Sequence, residues 1–279
     1  MILQTSKTYI QRVLKREGLY YRLKASPAYD LYWRFADKST IEKRSKEMSF
    51  YRKLLCGFRK GSLIFDIGAN QGVKTGIFLR LGATVVAVEP DTTNQMILRE
   101  KYLKYRLVKS PVVIVGKAVS DKNAVETMWI DEAGSTMNTL SLKWVETLRS
   151  DEERFGHSLD FAGRAEVETV TLEELMNEYG LPFFIKIDVE GLELRALQGM
   201  RRPVPYLSFE VNLPEFLQEG LHCVELLGSM AGDGRFNYVV DYQQGLVLQQ
   251  WLSAREFSDL LTRCRDRSIE VIWKTYTAE

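Results

Sequence analysis

From Ser62 onward, short apolar runs alternate with segments of helical period. Leu63-Ile64-Phe65 ends in Asp66, Thr84-Val85-Val86-Ala87-Val88 in Glu89, Phe183-Phe184-Ile185-Lys186-Ile187 in Asp188, and Tyr206-Leu207-Ser208-Phe209 in Glu210. Val112-Val113-Ile114-Val115 is a further run. Runs of this length, bounded by Gly and Pro, suit strands buried on both faces of a parallel sheet. Helices are predicted over 73–81, stopped by Gly82, and over 92–105. Others run from the Thr171-Leu172-Glu173-Glu174 capping box to Gly180 and over 215–230. The alternation predicts a doubly wound α/β sheet. Near the C-terminus come a strand at Tyr238-Val239-Val240, a hairpin around Gln243-Gln244-Gly245 and a helix capped by Ser253-Ala254-Arg255-Glu256. The closing strand, Ile269-Glu270-Val271-Ile272-Trp273, fits one antiparallel strand in an otherwise parallel sheet.

Two stretches depart from this rhythm. Residues 1–60 are rich in Lys, Arg, Tyr and Trp and are expected to form a helical extension packing on the core. Ser39-Thr40-Ile41-Glu42 has the form of a capping box, Ile41, Met48, Tyr51 and Leu55 recur at helical spacing, and Gly57 marks a stop. The aromatics Tyr20, Tyr21, Tyr29, Tyr32, Trp33 and Phe35 either dock these helices or wall a pocket, and docking is the simpler use of their area. Residues 61–279 then form the main domain, with an insertion at about 120–170. Within it Ala124–Ile130 and Ala165–Val170 are expected strands, separated by the polar segment Gly134-Ser135-Thr136-Met137-Asn138-Thr139.

Composition narrows the classes. With 279 residues, 45% of them hydrophobic, the chain can bury one sizeable core with a small appendage. A net charge of +1 and no basic stripe argue against nucleic acid or membrane as partner. Cys56, Cys223 and Cys264 are odd in number and far apart, so neither a disulfide framework nor a zinc site is expected. The first residues lack the apolar core of a signal peptide, and no run reaches a membrane span. The expectation is a soluble, cytoplasmic protein, with its oligomeric state left open.

The chemistry concentrates in Asp66-Ile67-Gly68-Ala69-Asn70-Gln71-Gly72, which joins a strand to a helix. Gly68 and Gly72 let the backbone turn tightly and approach a ligand, and Asn70 tolerates a left-handed conformation. Glu89 ends the next strand about 20 residues on, where a carboxylate can accept both hydroxyls of a ribose. The loop is not the G-x-G-x-x-G of a dinucleotide site. Asp66 would place a negative charge in the site. That suits a cofactor carrying an amino group and a sulfonium, and is unhelpful beside a pyrophosphate. The loop therefore favours S-adenosylmethionine over NAD.

These residues resemble the FkbM-type methyltransferases. The likeness rests on Phe65 through Gly72, Val88-Glu89-Pro90-Asp91, Lys117-Ala118-Val119-Ser120-Asp121, Glu168-Thr169-Val170-Thr171-Leu172, Ile185-Lys186-Ile187-Asp188-Val189-Glu190-Gly191 and Phe209-Glu210-Val211, in order over about residues 60–215. The resemblance implies a Rossmann-like class I methyltransferase fold, with a mostly parallel seven-stranded sheet and an antiparallel C-terminal strand. It implies S-adenosylmethionine as donor and a hydroxyl on a small molecule, natural product, sugar or glycan as acceptor. It implies that Asp66, Gly68, Asn70 and Gly72 hold the methionine end and that Glu89 holds the ribose, with Ala69 and Pro90 also at the cofactor. Ala118 would lie along the adenine and Asp188 near the sulfonium.

For the chemical step Asp188, Glu190 and Glu210 are the candidates. An alcohol is a poor nucleophile, and close carboxylates shift one another's ionisation, so one of them can serve as a base. Asp188, Glu210 and Asn212 could instead offer oxygens to Mg²⁺, but no His supports a metal and none is expected. The structural alternative has Asp188 and Glu190 capping a helix and Glu210 bonded to a loop. His157 in a charged stretch, His222 in a helix and the pair Arg201-Arg202 read as structural. A cofactor-binding partner without catalysis, or an NAD-linked oxidoreductase, are the competing functions.

Overall fold

The structure, a computed structural model, describes residues 38–107, 111–150 and 159–275. The aromatic stretch before residue 38, the side chains of the Ser39 capping box up to Ile41, and His157 lie outside the described residues. Among the described residues no helix is long and apolar enough to cross a membrane.

Helix α1 (Lys38–Leu54) leads into β1 (Leu63–Ile67), α2 (Val73–Leu81), β2 (Thr84–Val88), α3 (Thr92–Lys101), α4 (Leu103–Leu107) and β3 (Val112–Val115). The insertion comprises β4 (Ala118–Val119), β5 (Val125–Ile130), α5 (Leu142–Ser150) and β6 (Gly163–Val170). Then follow α6 (Leu172–Tyr179), β7 (Phe184–Ile187), α7 (Glu193–Gln198), β8 (Tyr206–Asn212), α8 (Leu217–Met230), β9 (Arg235–Val239), α9 (Ala254–Leu261) and β10 (Ser268–Lys274). The main sheet has seven strands in the order β3-β2-β1-β7-β8-β10-β9. All its pairings are parallel except those of β10, which runs antiparallel to both neighbours. This is the expected class I methyltransferase arrangement, and the order of strands reverses between β1 and β7.

Alternation along each strand fills two cores. Ile64, Val85, Phe184 and Ile272 face one layer with Tyr51 of α1 and Phe78 of α2. Phe65, Val86, Ile185 and Val271 face the other with Leu175 of α6, Leu197 of α7, Val224 of α8 and Phe257 of α9. Each such fully buried side chain contributes about 1.5–3 kcal/mol, so slipping a strand by one residue would be costly.

Local signals set several boundaries as expected. Gly82 closes α2 in the left-handed conformation (φ 93). The Thr171 hydroxyl accepts the N–H of Glu174, and Ser253 with Glu256 forms a complete capping box. Other boundaries moved. Strands β1 and β8 run past Asp66 and Glu210 to Ile67 and Asn212, so neither carboxylate ends its strand. Both continue because their polar side chains find partners on a covered face. The helix expected over 92–105 breaks at Tyr102, a buried ring whose hydroxyl donates to the Gly72 carbonyl. The expected hairpin turns at Gly245 (φ 84), but its return limb meets β9 through an isolated bridge, Phe236–Leu252. The strand beside β9 is β10.

Candidate active site

At the carboxyl edge of the sheet, where the strand order reverses, lies a cleft of about 710 Å³ including its open mouth. Gly68, Asn70, Glu89, Pro90, Ala118, Asp188 and Glu190 all border it. So do Ser135, Thr136, Asn138 and Thr139 of the insertion. Asp66, Ala69, Gly72 and Glu210 are not among the lining residues. Asp66 is buried beneath the loop, where its carboxylate accepts the Thr75 hydroxyl at 2.5 Å. Burial raises its pKa.

The loop is built by close approach. Gly68 has φ 77, and a Cβ there would sit 1.8 Å from the carbonyl oxygen of Asp188. Only glycine lets the end of β1 lie against the end of β7. Asn70 takes the left-handed conformation (φ 47).

Glu89 is anchored by its neighbours. Its carboxylate accepts the N–H of Asn70 at 2.7 Å and of Asp91 at 2.8 Å. Burial pushes its pKa up to about 7, against the pull of these two bonds and of Asn94. Asp91 caps α3 with one oxygen, accepting from Thr93 and Asn94. With the other it accepts from Gly134 N–H (3.1 Å) and Asn138 Nδ2 (2.8 Å), which pins the insertion over the cleft.

The opposite end of the cleft is acidic. Carboxylate oxygens of Asp188, Glu190 and Glu210 lie within 4.8 Å of one another. The register Ile187–Phe209 makes this unavoidable, because Asp188 and Glu210 are the next residues on adjacent strands. Each is held differently. Burial alone would raise Asp188, but the Lys186 ammonium at 2.8 Å keeps it below its ordinary value. Glu190 is in the left-handed region (φ 53) and accepts Trp144 Nε1 at 2.9 Å, and its carbonyl accepts the Thr139 hydroxyl at 2.8 Å. Burial, then the charges of Asp188 and Glu210, push it well above the usual carboxylate range. Glu210 is raised by burial and by Asp188, and accepts the Ser268 hydroxyl at 2.6 Å. Neither Asp188 nor Glu190 caps a helix, since α7 has no side-chain cap. The spacing of the three would admit a cation, but Lys186, Trp144 and Ser268 already donate to them.

A sequence model described as "Methyltransferase FkbM domain" matches residues 66–234. The chain belongs to the FkbM methyltransferase family. No curated protein sequence matches it. It is similar in structure to the precorrin-6y C5,15-methyltransferase of Geobacter metallireducens (11% identity over 84% of this chain and 87% of that one, TM-score 0.40). It is also similar to a TehB-like S-adenosylmethionine-dependent methyltransferase from Corynebacterium glutamicum (9%, 82% and 87%, 0.42). A third is an S-adenosylmethionine-dependent O-methyltransferase of Thermotoga maritima (10%, 82% and 64%, 0.40). Membership makes the protein a methyltransferase and implies S-adenosylmethionine as donor.

The cleft of this FkbM methyltransferase fits that donor at a point its own atoms mark. Asn94 lines the cleft beside Glu89, is buried, and its Oδ1 has no hydrogen-bond partner among the described residues. A buried unsatisfied acceptor is costly, and a ribose hydroxyl or adenine amino group would satisfy it. Sequence reasoning did not single out Asn94, Trp144 or Lys186. For Lys186 there was a signal: a lysine in the middle of an apolar strand. His222 sits in α8 as expected, and Arg202 pairs with Glu173 on the surface.

Proposed function

We propose that the protein methylates a hydroxyl group on a small molecule, natural product, sugar or glycan. The observation that supports this most is the gathering of Asp188, Glu190 and Glu210 at one end of the cleft in unlike electrostatic settings. In this reading Gly68 and Asn70, backed by Asp66, Ala69 and Gly72, hold the methionine end. Glu89 and Asn94 accept from the ribose, and Pro90 and Ala118 enclose the adenine.

When bound, the cofactor supplies a methyl group already activated on a positive sulfur. The chain must align the acceptor oxygen, exclude water and take a proton. Asp188, kept ionised, supplies negative charge at the sulfonium end. Glu190 is the base that would take the acceptor's proton. Burial and the neighbouring carboxylates raise its basicity above that of an ordinary carboxylate, the direction a base for an alcohol needs. Glu210, behind the cleft wall, supports this by its charge, which raises Glu190. Ser135, Thr136 and Asn138 offer polar groups suited to an acceptor rich in hydroxyls.

The test is label transfer from methyl-labelled S-adenosylmethionine to a panel of phenols, polyols and glycosides, with wild type and Glu190→Gln. Methylated product from wild type, lost in Glu190→Gln with cofactor affinity retained, is expected. Cofactor binding without transfer to any hydroxyl, amine or carbon acceptor would instead mark a binding protein without catalysis. Saturable NADH binding in its place would revive the oxidoreductase reading.

A further inference from the structure

We propose that Lys186 is a positioning residue of the transfer site, its buried ammonium fixing Asp188 as a negative charge at the reacting end of the cleft. The inference rests on the methyltransferase reading and deepens it.

Lys186 is the sole buried cation among the described residues, with only 2% of its side chain exposed. It lies in a polar seam that crosses the sheet on the side of α1. Asp66 of β1 is its register partner, and Ser208 of β8 is its partner on the other side. Glu270 of β10 lies diagonally beyond, directly opposite Glu210. The ammonium is 2.8 Å from Asp188 Oδ2 and 3.9 Å from the Glu270 carboxylate. Tyr242 donates to Glu270, and Tyr51 of α1 donates to Tyr242 at 3.3 Å. Lys74 of α2, paired with Glu47 of α1, lies 3.9 Å over the Tyr242 ring. Helix α1 thus closes the seam from above.

The charges settle what Lys186 does. An unpaired ammonium does not stay charged in an interior. Here it is surrounded by Asp188, Glu270 and Asp66, which outweigh its burial and hold it protonated. Asp188 also faces Glu190, Glu210 and Glu193, all carboxylates, and the more distant Lys74. Without Lys186 the cluster would relieve its repulsion by taking up protons, and Asp188, nearest to the lost cation, would be first. Lys186 touches neither the cleft nor an acceptor, so it acts through Asp188.

S-adenosylmethionine carries a sulfonium charge that S-adenosylhomocysteine lacks, so the ratio of their dissociation constants reads the charge at Asp188 without any acceptor. Calorimetry from pH 6 to 9 would compare wild type, Asp188→Asn, Lys186→Met and the double variant Lys186→Met/Asp188→Asn. Lys186→Met/Glu270→Gln, which removes one charge of each sign from the seam, serves where Lys186→Met fails to fold. Asp188→Asn should shift the ratio against S-adenosylmethionine by about tenfold. Lys186→Met should do so at low pH and recover as pH rises, and should add nothing in the Asp188→Asn background. A ratio and pH profile in Lys186→Met, or in its Glu270→Gln partner, equal to wild type would overturn the proposal. So would additive effects with Asp188→Asn. Wild type binding neither compound would instead sink the methyltransferase reading itself.

Discussion

The two ends of the cleft hold carboxylates by opposite means. At the end proposed for the ribose a single acid, Glu89, is fastened by backbone N–H groups of its own and the adjoining loop. At the proposed transfer end stand three acids, Asp188 and Glu190 just past β7 and Glu210 on β8. They are held by side chains from elsewhere: Lys186, Trp144 of the insertion and Ser268 of the last strand. The first end is made by local geometry and is suited to a constant task, gripping a cofactor. The second is made by tertiary assembly. There one carboxylate is kept ionised at Asp188 and another, two positions on, is raised at Glu190. What separates them is a cation beside one and like charges beside the other.

The largest test of that contrast falls at the transfer end. Glu190→Gln should lower turnover by roughly 10²–10⁴-fold, with the dissociation constant of S-adenosylmethionine little changed. Steady-state rates beside calorimetry check both parts. Equal losses in rate and affinity would erase the distinction between the ends.

Next in size is Glu89→Ala, the mirror experiment. Losing two charge-assisted bonds, at the lower end of roughly 1.5–3 kcal/mol each, should weaken cofactor binding by about 100-fold and leave turnover at saturating cofactor nearly intact. Titration calorimetry decides it.

The pH dependence sharpens the same point. Glu89 must be ionised to accept two hydroxyls, and its pKa is about 7 in the folded protein, against an ordinary 4.5. Cofactor affinity should therefore rise as pH rises through 7, by up to about tenfold per unit below it. Stability of the free protein should move the other way. Between about pH 4.5 and 7 the folded state binds more protons than the unfolded one, so ionising Glu89 lowers stability as pH rises. Glu193, raised to about 8 by burial, extends that trend upward. Thermal melts across pH 5–8 with and without cofactor read both signs. Parallel curves would remove Glu89 from the binding site.

The smallest effect lies away from both ends. Ser253→Ala breaks the capping box of α9 and should cost about 1 kcal/mol of stability without touching cofactor affinity. A change in affinity there would mean that binding reports general stability.

The same contrast explains what could be read in the sequence. Gly68, Asn70 and Glu89 announce themselves because their roles follow from turn geometry and from a strand end a fixed distance away. The sheet is legible because apolar runs alternate on both faces. Asp66 and Glu210 look like strand ends in the sequence, since a polar residue after an apolar run reads as an exit unless its partners, Thr75 and Ser268, are known. Tyr102 breaks a helix for the sake of a bond to Gly72, 30 residues back. Helix α5 was missed, and with it Trp144, because its role is defined by a loop 46 residues away. Lys186 shows only as an oddity in an apolar run, because two of the three charges that hold it, Asp66 and Glu270, come from β1 and β10.

One cleft is proposed to grip the cofactor at Glu89 and to present its reacting end to Asp188 and Glu190. A crystal structure with S-adenosylhomocysteine tests it most directly. The account predicts ribose hydroxyls on Glu89, a donor satisfying Asn94 Oδ1, and the sulfur at the Asp188 end with Glu190 beyond it. A ligand lying outside the cleft, or within it with its ribose away from Glu89, would contradict it.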